Sequence, residues 1–305
     1  MSHDLFAIST FVRAALARQR PVVALETTLV THGLPQPQGV EIASELESEV
    51  VAAGATPATI GVLDGRVRIG LTLDELHRLA SAAAVKLNLS NFAAQVASGE
   101  PGSTTVAATL FVCARTGIEV FATGGIGGVH RGAAESGDVS ADLTALARYP
   151  VAVVCAGAKA VLDLARTAEA LESLGVPVYG FGTGDFPAFY LRESGLRADR
   201  RFDSIDELAN AVRSHFHLGL GTGVVIGNPI PHEHELPHAE YEGALSRAVA
   251  DAEELKVRGR LLTPFLLERL AELTGGATVT ANLALLRSNA RVAAELAVAL
   301  ARLGG

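Results

Sequence analysis

Five clusters of side chains in this sequence stand where chemistry would need them. Lys159 closes the apolar run VAVVCAGAK. An amine held among apolar neighbours is driven toward its neutral, nucleophilic form and can add to a sugar carbonyl as a Schiff base. The competing reading is a lysine that snorkels from a helix start. Glu26 follows Val22, Val23 and Leu25 on a strand-like run, ALETT, so desolvation raises its carboxyl toward that of a usable general acid, unless a core salt bridge holds it. In ATGGIGGVHRGA, Gly124, Gly125, Gly127 and Gly128 offer backbone N–H groups with His130 and Arg131 close behind. Such a segment either holds a phosphate by amides and a cation or is a tight structural turn. It is no dinucleotide fingerprint, because His130 stands at the third glycine position, and no GK[ST] follows any glycine loop.

Lys86 and the run Gly102-Ser103-Thr104-Thr105-Val106 add another cation and two threonine hydroxyls ahead of a helix, a second phosphate contact. In GDVSADL, Asp138, Ser140 and Asp142 alternate, so an extended segment would turn all three the same way. Carboxylates with a hydroxyl suit Mg²⁺ or Mn²⁺ held by few protein ligands and several waters. Alternatively, Ser140 or Asp138 caps the helix ADLTALARY. Together these clusters describe a phosphosugar site served by an amine nucleophile.

The elements that must position them alternate short β-rich runs with longer helical ones. PVVALETTLV (21–30), IEVFATGG, VAVVCAGA, VPVYGFGT and GVVIGNPIP read as strands, and ATIGVLDGRVRIG (58–70) as a hairpin about Asp64-Gly65. EIASELESEVVAAG (41–54), a helix after Thr72 or Asp74, TTVAATLFVCARTG, VLDLARTAEALESLG and a trio within 238–303 read as helices. The loop THGLPQPQG is too rich in proline and glycine to be helical and is expected to shape the pocket. This alternation predicts an α/β fold, a mostly parallel central sheet covered by helices on both faces, with the ligand at the carboxyl ends of the strands. No linker divides the chain, so residues 1–305 are expected to form a single domain.

Apolar residues make up 49% of the 305 and charged ones 19%, enough for a large core and for apolar surface at a subunit interface. A net charge of −8 is unlike a nucleic-acid binder, which carries a basic stripe. Cys113 and Cys155 lie in apolar stretches without a CxxC partner and read as buried free thiols. The start MSHDLFAIST has no leader pattern, and no apolar run approaches the ~20 residues that span a bilayer, so no membrane partner and a cytoplasmic setting are expected.

The segments ALETT, THGLPQPQG, GATPATIGVLDG, FATGGIGGVHRGA, DVSADL, VVCAGAK, GNPIP and TPFLLERLAELTGG resemble, in order, the pseudouridine-5′-phosphate glycosidase family, which includes the indigoidine-biosynthesis A proteins. The resemblance runs from about residue 20 to 300. It implies an indigoidine synthase A-like α/β/α fold and reversible cleavage of pseudouridine 5′-phosphate, with water, to uracil and ribose 5-phosphate. It also implies a homotrimer with one divalent metal per subunit, typically Mn²⁺. Carried over by motif, Lys159 is the nucleophile, Glu26 the proton donor and Asp138 the metal ligand, while Lys86, Val106 and the stretch Ser140, Ala141, Asp142 contact substrate. His130, Arg131, Thr104 and Thr105 are read beside this as phosphate contacts. The family pattern K-x-S-R-R-D-L reads here Lys86-Leu87-Asn88-Leu89-Ser90-Asn91-Phe92, without its arginine and aspartate. If those touch phosphate or base, this chain binds more weakly or takes a related C-nucleoside phosphate. Two other readings use the same residues: a Schiff-base aldolase acting on a phosphosugar, which has no need of Asp138, and a non-catalytic phosphosugar-binding protein.

Overall fold

Strand residues that are buried on both sides must be covered on both sides, because successive side chains point to opposite faces. Val22–Leu25, Ala152–Cys155 and Val224–Gly227 are buried at every position. The computed structural model describes residues 5–33, 38–257 and 262–304. In it, β1 (Phe6–Ile8), β2 (Val22–Leu25), β3 (Thr56–Leu63), β4 (Arg66–Ile69), β5 (Val85–Leu87), β6 (Gly102–Thr104), β7 (Val120–Ala122), β8 (Ala152–Cys155), β9 (Val178–Phe181), β10 (Arg200–Phe202) and β11 (Val224–Gly227) share one sheet. Its main path runs β1-β4-β3-β2-β7-β8-β11-β9-β10, with β6 paired antiparallel to β3 and β5 parallel to β6. The path is parallel except at the β3–β4 hairpin, whose turn residues Asp64 and Gly65 both have positive φ, 54° and 69°, as an Asp-Gly hairpin requires.

The 27-residue helix Ala277–Leu303 lies against β2, β7 and β8 and packs on Gln38–Ala52 and Ile205–His217. Val106–Thr116 contacts β7 and packs on Ala141–Leu146. The mostly parallel, helix-flanked architecture read from the sequence is the observed one.

The register places one set of strand ends together. Leu25 pairs with Ala122, Ala122 with Val154, and Cys155 with Gly227, so the carboxyl ends of β2, β7, β8 and β11 form a row. The expected strand over 21–30 is shorter, ending at Leu25, and Leu29–Gly33 forms a π-helical turn. The cause is local. Thr27 Oγ1 donates to Ile60 O (2.8 Å) and Thr28 Oγ1 to Thr104 O (2.7 Å), tying the chain off to neighbouring strands. Thr31 to Gly33, expected to be non-helical, therefore belong to this turn, and Gln38 and Gly39 open the next helix. Residues 34–37 of the expected pocket loop lie outside the described residues.

Candidate active site

Glu26 is the first residue after β2, Thr123 the first after β7, and Lys159 lies four residues after the end of β8. A cavity of about 90 Å³ at this row of strand ends is lined by Glu26, Lys86, Thr123, Lys159, Phe189 and Asn282, with Leu29, Leu267 and Leu286 as apolar walls. Sequence reasoning placed Glu26, Lys86 and Lys159 in one site, and the fold brings them together. A roomier cavity of about 290 Å³ at the amino ends of β2 and β7 has Arg20, Glu119 and Arg213 in its wall, but Arg213 is spent on Glu119 (2.9 Å) and, among the described residues, no acid–nucleophile set lines it.

Glu26 is packed round by protein, and burial pushes its carboxyl above the usual glutamate range. Charge on Lys159, a hydrogen bond donated by Thr123 and charge on Lys86 pull the other way, while Asp142 adds to the rise. Thr123 is itself held from behind. Asn289, 1% exposed, donates Nδ2 to Thr123 O (2.8 Å) and accepts at Oδ1 from Asn228 Nδ2 (2.9 Å), and Asn228 N donates to Cys155 O (2.8 Å). A buried polar chain thus runs from the long carboxy-terminal helix through two strand ends to the acid.

Lys86 is half-buried on β5, and burial, reinforced by the charge of Lys159, lowers its pKa; Asp142 and Glu26 oppose this. The altered family stretch braces this lysine. Asn91 Nδ2 donates to Lys86 O (3.1 Å) while its Oδ1 accepts from Asn88 N (2.9 Å). Lys159 is half-buried, its backbone N–H donating to Ile126 O (2.9 Å). It is not at a helix start, because Asp163 caps the helix Leu164–Ser173. Cys155, the last residue of β8, is a buried free thiol with its pKa pushed up to about 12, and Cys113 is buried and free as well.

Glycines in the ATGGIGG turn make room for close neighbours. A Cβ on Gly127 would fall 2.2 Å from Ser140 Oγ, and one on Gly128 would fall 2.4 Å from the Thr167 side chain. Ile126 N donates to Gly157 O, Gly127 N to Asp142 Oδ2 (2.8 Å), Val129 N to Thr167 Oγ1 and His130 N to Asp138 O, so these amides already serve protein acceptors.

Asp138, Ser140 and Asp142 do not share one face. Ser140 caps the helix Ala141–Leu146, its Oγ accepting from Asp142 N (3.2 Å), and helical geometry then turns Asp142 inward. Asp142, 5% exposed, accepts from Ala107 N (2.9 Å) at the start of Val106–Thr116 and from Gly127 N, joining two helix starts and the glycine turn. Ala141 opens the capped helix, and Val106, fully buried, opens the neighbouring one. Thr104 is fully buried with its hydroxyl donating to Ile60 O (2.7 Å); Thr105 caps its helix and donates to Leu87 O (2.7 Å). These two hydroxyls shape the site from behind and are not presented to a ligand as the sequence suggested.

Asp138 and Arg131 line a separate cavity of about 370 Å³. His130 stands between the two regions: its Nδ1 is 4.0 Å from Asp138 Oδ2, and burial lowers its pKa, Asp138 raises it, and Lys159 and Lys86 lower it. A lowered imidazole pKa makes His130 a neutral hydrogen-bonding group near neutral pH rather than a cation. Among the described residues no group of three or more His, Cys, Asp or Glu side chains converges as a metal cage. Asp138 nonetheless fits a water-rich divalent ion. It is half-exposed on a roomy cavity, and among the described residues its carboxylate oxygens have no partner closer than His130.

Thr123, Asn289, Asn228, Phe189 and Asn282 were not singled out by sequence. The signal for Thr123 and Asn228 lay in their motifs, ATGGIGGVHRGA and GNPIP; the others sit in runs rich in apolar residues.

The family model described as indigoidine synthase A like protein matches residues 11–299. A protein of Methylobacterium nodulans named pseudouridine-5′-phosphate glycosidase is 52% identical over 98% of this chain and 89% of its own length. One of the same name from Paracoccus denitrificans is 50% identical over 97% and 99%. Among solved structures, the prealnumycin C-glycosynthase AlnA in complex with ribulose 5-phosphate superposes with a TM-score of 0.92 at 38% identity, covering 99% of this chain and 98% of that one. An indigoidine synthase A-like protein of Thermotoga maritima gives 0.90 at 38% identity, covering 99% of both chains.

Proposed function

We propose, from the premise that this chain belongs to the indigoidine synthase A like family, that it is a pseudouridine-5′-phosphate glycosidase. It makes and breaks the C–C glycosidic bond between uracil C5 and ribose C1′, with uracil and ribose 5-phosphate as the products of cleavage and breakdown of pseudouridine as its setting. The observation that carries the reading is one cavity holding a carboxyl of raised pKa and two lysines, in a chain half identical to proteins of that name. AlnA, a C-glycosynthase with a bound pentose phosphate, supports the same bond and sugar class.

A carbon–carbon bond offers no leaving heteroatom to protonate, so the paired carboxylates of ordinary glycosidases do not suffice. Lys159 as a free amine attacks C1′, the C1′–O4′ bond opens, and O4′ takes up a proton. Glu26 then protonates uracil C5. The nitrogen lone pair forms a C=N bond as C1′–C5 breaks, its electron pair remaining with the uracil ring. Water hydrolyses the imine, releasing ribose 5-phosphate and restoring Lys159. Thr123 keeps the Glu26 carboxyl oriented, and Lys86 offers a cation to the sugar phosphate.

His130 and Arg131 extend the polar side toward the phosphate, with the turn of half-buried Ser140 and Ala141 and buried Asp142 and the Val106 helix start shaping that wall. Holding the unreactive phosphate end lets remote binding energy serve orientation, so the unphosphorylated nucleoside reacts poorly. Asp138 would hold the metal, Mn²⁺ or Mg²⁺, which would supply charge and ordered waters on the far side of His130. A homotrimer and a cytoplasmic location belong to the same proposal.

Ultraviolet absorbance during incubation with uracil, ribose 5-phosphate and Mn²⁺ tests the reading. Formation of pseudouridine 5′-phosphate supports it. Turnover of deoxyribose 5-phosphate to an aldehyde without uracil coupling would favour the aldolase instead, and light scattering reports the trimer.

A further inference from the structure

Phe189 has φ +64°, in the left-handed region that bulky side chains avoid, yet it is 4% exposed and forms part of the wall of the Glu26–Lys159 cavity. The surrounding chain over-determines that conformation. Phe189 N donates to Ala156 O (2.9 Å), one residue beyond β8, and Ala188 and Leu191 exchange backbone hydrogen bonds across the turn.

Glycines clear the space the turn occupies. A Cβ on Gly125 would come within 2.7 Å of the Phe189 ring. On Gly157, itself at φ +84°, it would fall 1.8 Å from Pro187 O, and on Gly227 2.6 Å from Pro187 Cδ. Tyr190 stacks edge-on against the Phe189 ring at 4.8 Å and Tyr241 against Tyr190 at 5.9 Å, which fixes the ring plane. A core phenylalanine needs volume and apolar neighbours; it does not need a strained backbone and three glycine-sized gaps to set one ring at a cavity.

We infer that Phe189 is the platform on which the flat pyrimidine of the substrate packs, making it a specificity-determining residue for the base half of the reaction. The inference rests on the proposed glycosidase reading. A pentose phosphate is hydroxyl-rich and anionic and is matched by Lys86 and Lys159. A pyrimidine has apolar faces and polar edges, matched by the phenyl ring with Leu29, Leu267 and Leu286 and by the amide of Asn282. Stacking on an aromatic ring recognises a base by its face.

Phe189→Gly and Phe189→Leu separate the roles. Glycine adopts positive φ freely and removes the ring; leucine keeps apolar bulk without a flat face. KM for uracil and KM for ribose 5-phosphate are measured in the coupling direction, with the borohydride-trapped pentose phosphate adduct and Tm alongside. The expected result is a rise in KM for uracil of roughly 10- to 100-fold in both variants, with KM for ribose 5-phosphate and adduct formation within about twofold of wild type. An unchanged KM for uracil in either folded variant overturns the inference, as does a parallel loss of adduct and coupling in Phe189→Leu, which would make the ring architectural. Wild-type protein that fails to couple uracil at all overturns the glycosidase reading and this one with it, an outcome distinct from both.

Discussion

Replacing Thr123 by valine removes one hydroxyl and almost no volume. Its backbone bonds to Val154 O and from Asn289 stay in place, so the change is confined to the hydrogen bond that Oγ1 donates to Glu26. That bond favours the carboxylate, so losing it raises a pKa already lifted by burial. A hydrogen bond to a charged group contributes about 1.5–3 kcal/mol, and each pKa unit corresponds to about 1.4 kcal/mol, so Thr123→Val should move Glu26 upward by roughly one to two units. In the proposed mechanism Glu26 is the proton donor in cleavage, so activity is expected to be lost as pH rises through its pKa. The variant's alkaline limb in kcat/KM for pseudouridine 5′-phosphate should therefore lie about one to two pH units above that of wild type. A limb that stays in place or moves to lower pH refutes the assignment of Glu26 as the acid that Thr123 tunes.

Asn289→Ala takes from Thr123 O its Asn289 donor and from the Asn228 amide one of its two acceptors, Ser288 Oγ remaining at 3.0 Å, and at about 1–3 kcal/mol for the buried carbonyl this should lower Tm by a few degrees, read by calorimetry. Glu26→Gln should abolish cleavage yet raise stability at neutral pH by on the order of 1 kcal/mol. A carboxyl whose folded pKa is raised contributes stability fully present below the unfolded pKa and lost as pH rises through the folded one; the amide mimics the protonated form, so the gain over wild type should fade on acidification. Asp138→Asn should weaken Mn²⁺ binding at least about tenfold by calorimetric titration of the unliganded protein while leaving Tm without metal nearly unchanged.

The parallel sheet was legible because continuous apolar runs such as VAVVC have few alternatives to a strand covered on both faces, and Glu26 and Lys159 stood out as ionisable groups beside such runs. Other features were set by contacts distant in sequence. Asp138, Ser140 and Asp142 alternate in the sequence, but Ser140's cap starts a helix, which sends Asp142 to Ala107 and Gly127 and leaves Asp138 on another cavity. Thr104 and Thr105 offer hydroxyls on paper; carbonyls of Ile60 and Leu87, brought up by sheet pairing, take them. Asn289 lies 166 residues from Thr123 in a helix rich in alanine and leucine, where its partner cannot be read from the sequence. Phe189 sits in FPAFY, which reads as packing, since no residue type announces a positive φ.

The central claim is that Lys159 carries the pentose covalently while Glu26 handles the proton at uracil. Borohydride reduction of the protein incubated with Mn²⁺ and ribose 5-phosphate, followed by mass spectrometry of the intact chain and its peptides, tests it most directly. The account predicts one reduced pentose phosphate adduct per chain, located on Lys159, present in Glu26→Gln and absent in Lys159→Ala. An adduct on another lysine, or full uracil coupling by Lys159→Ala, would contradict it.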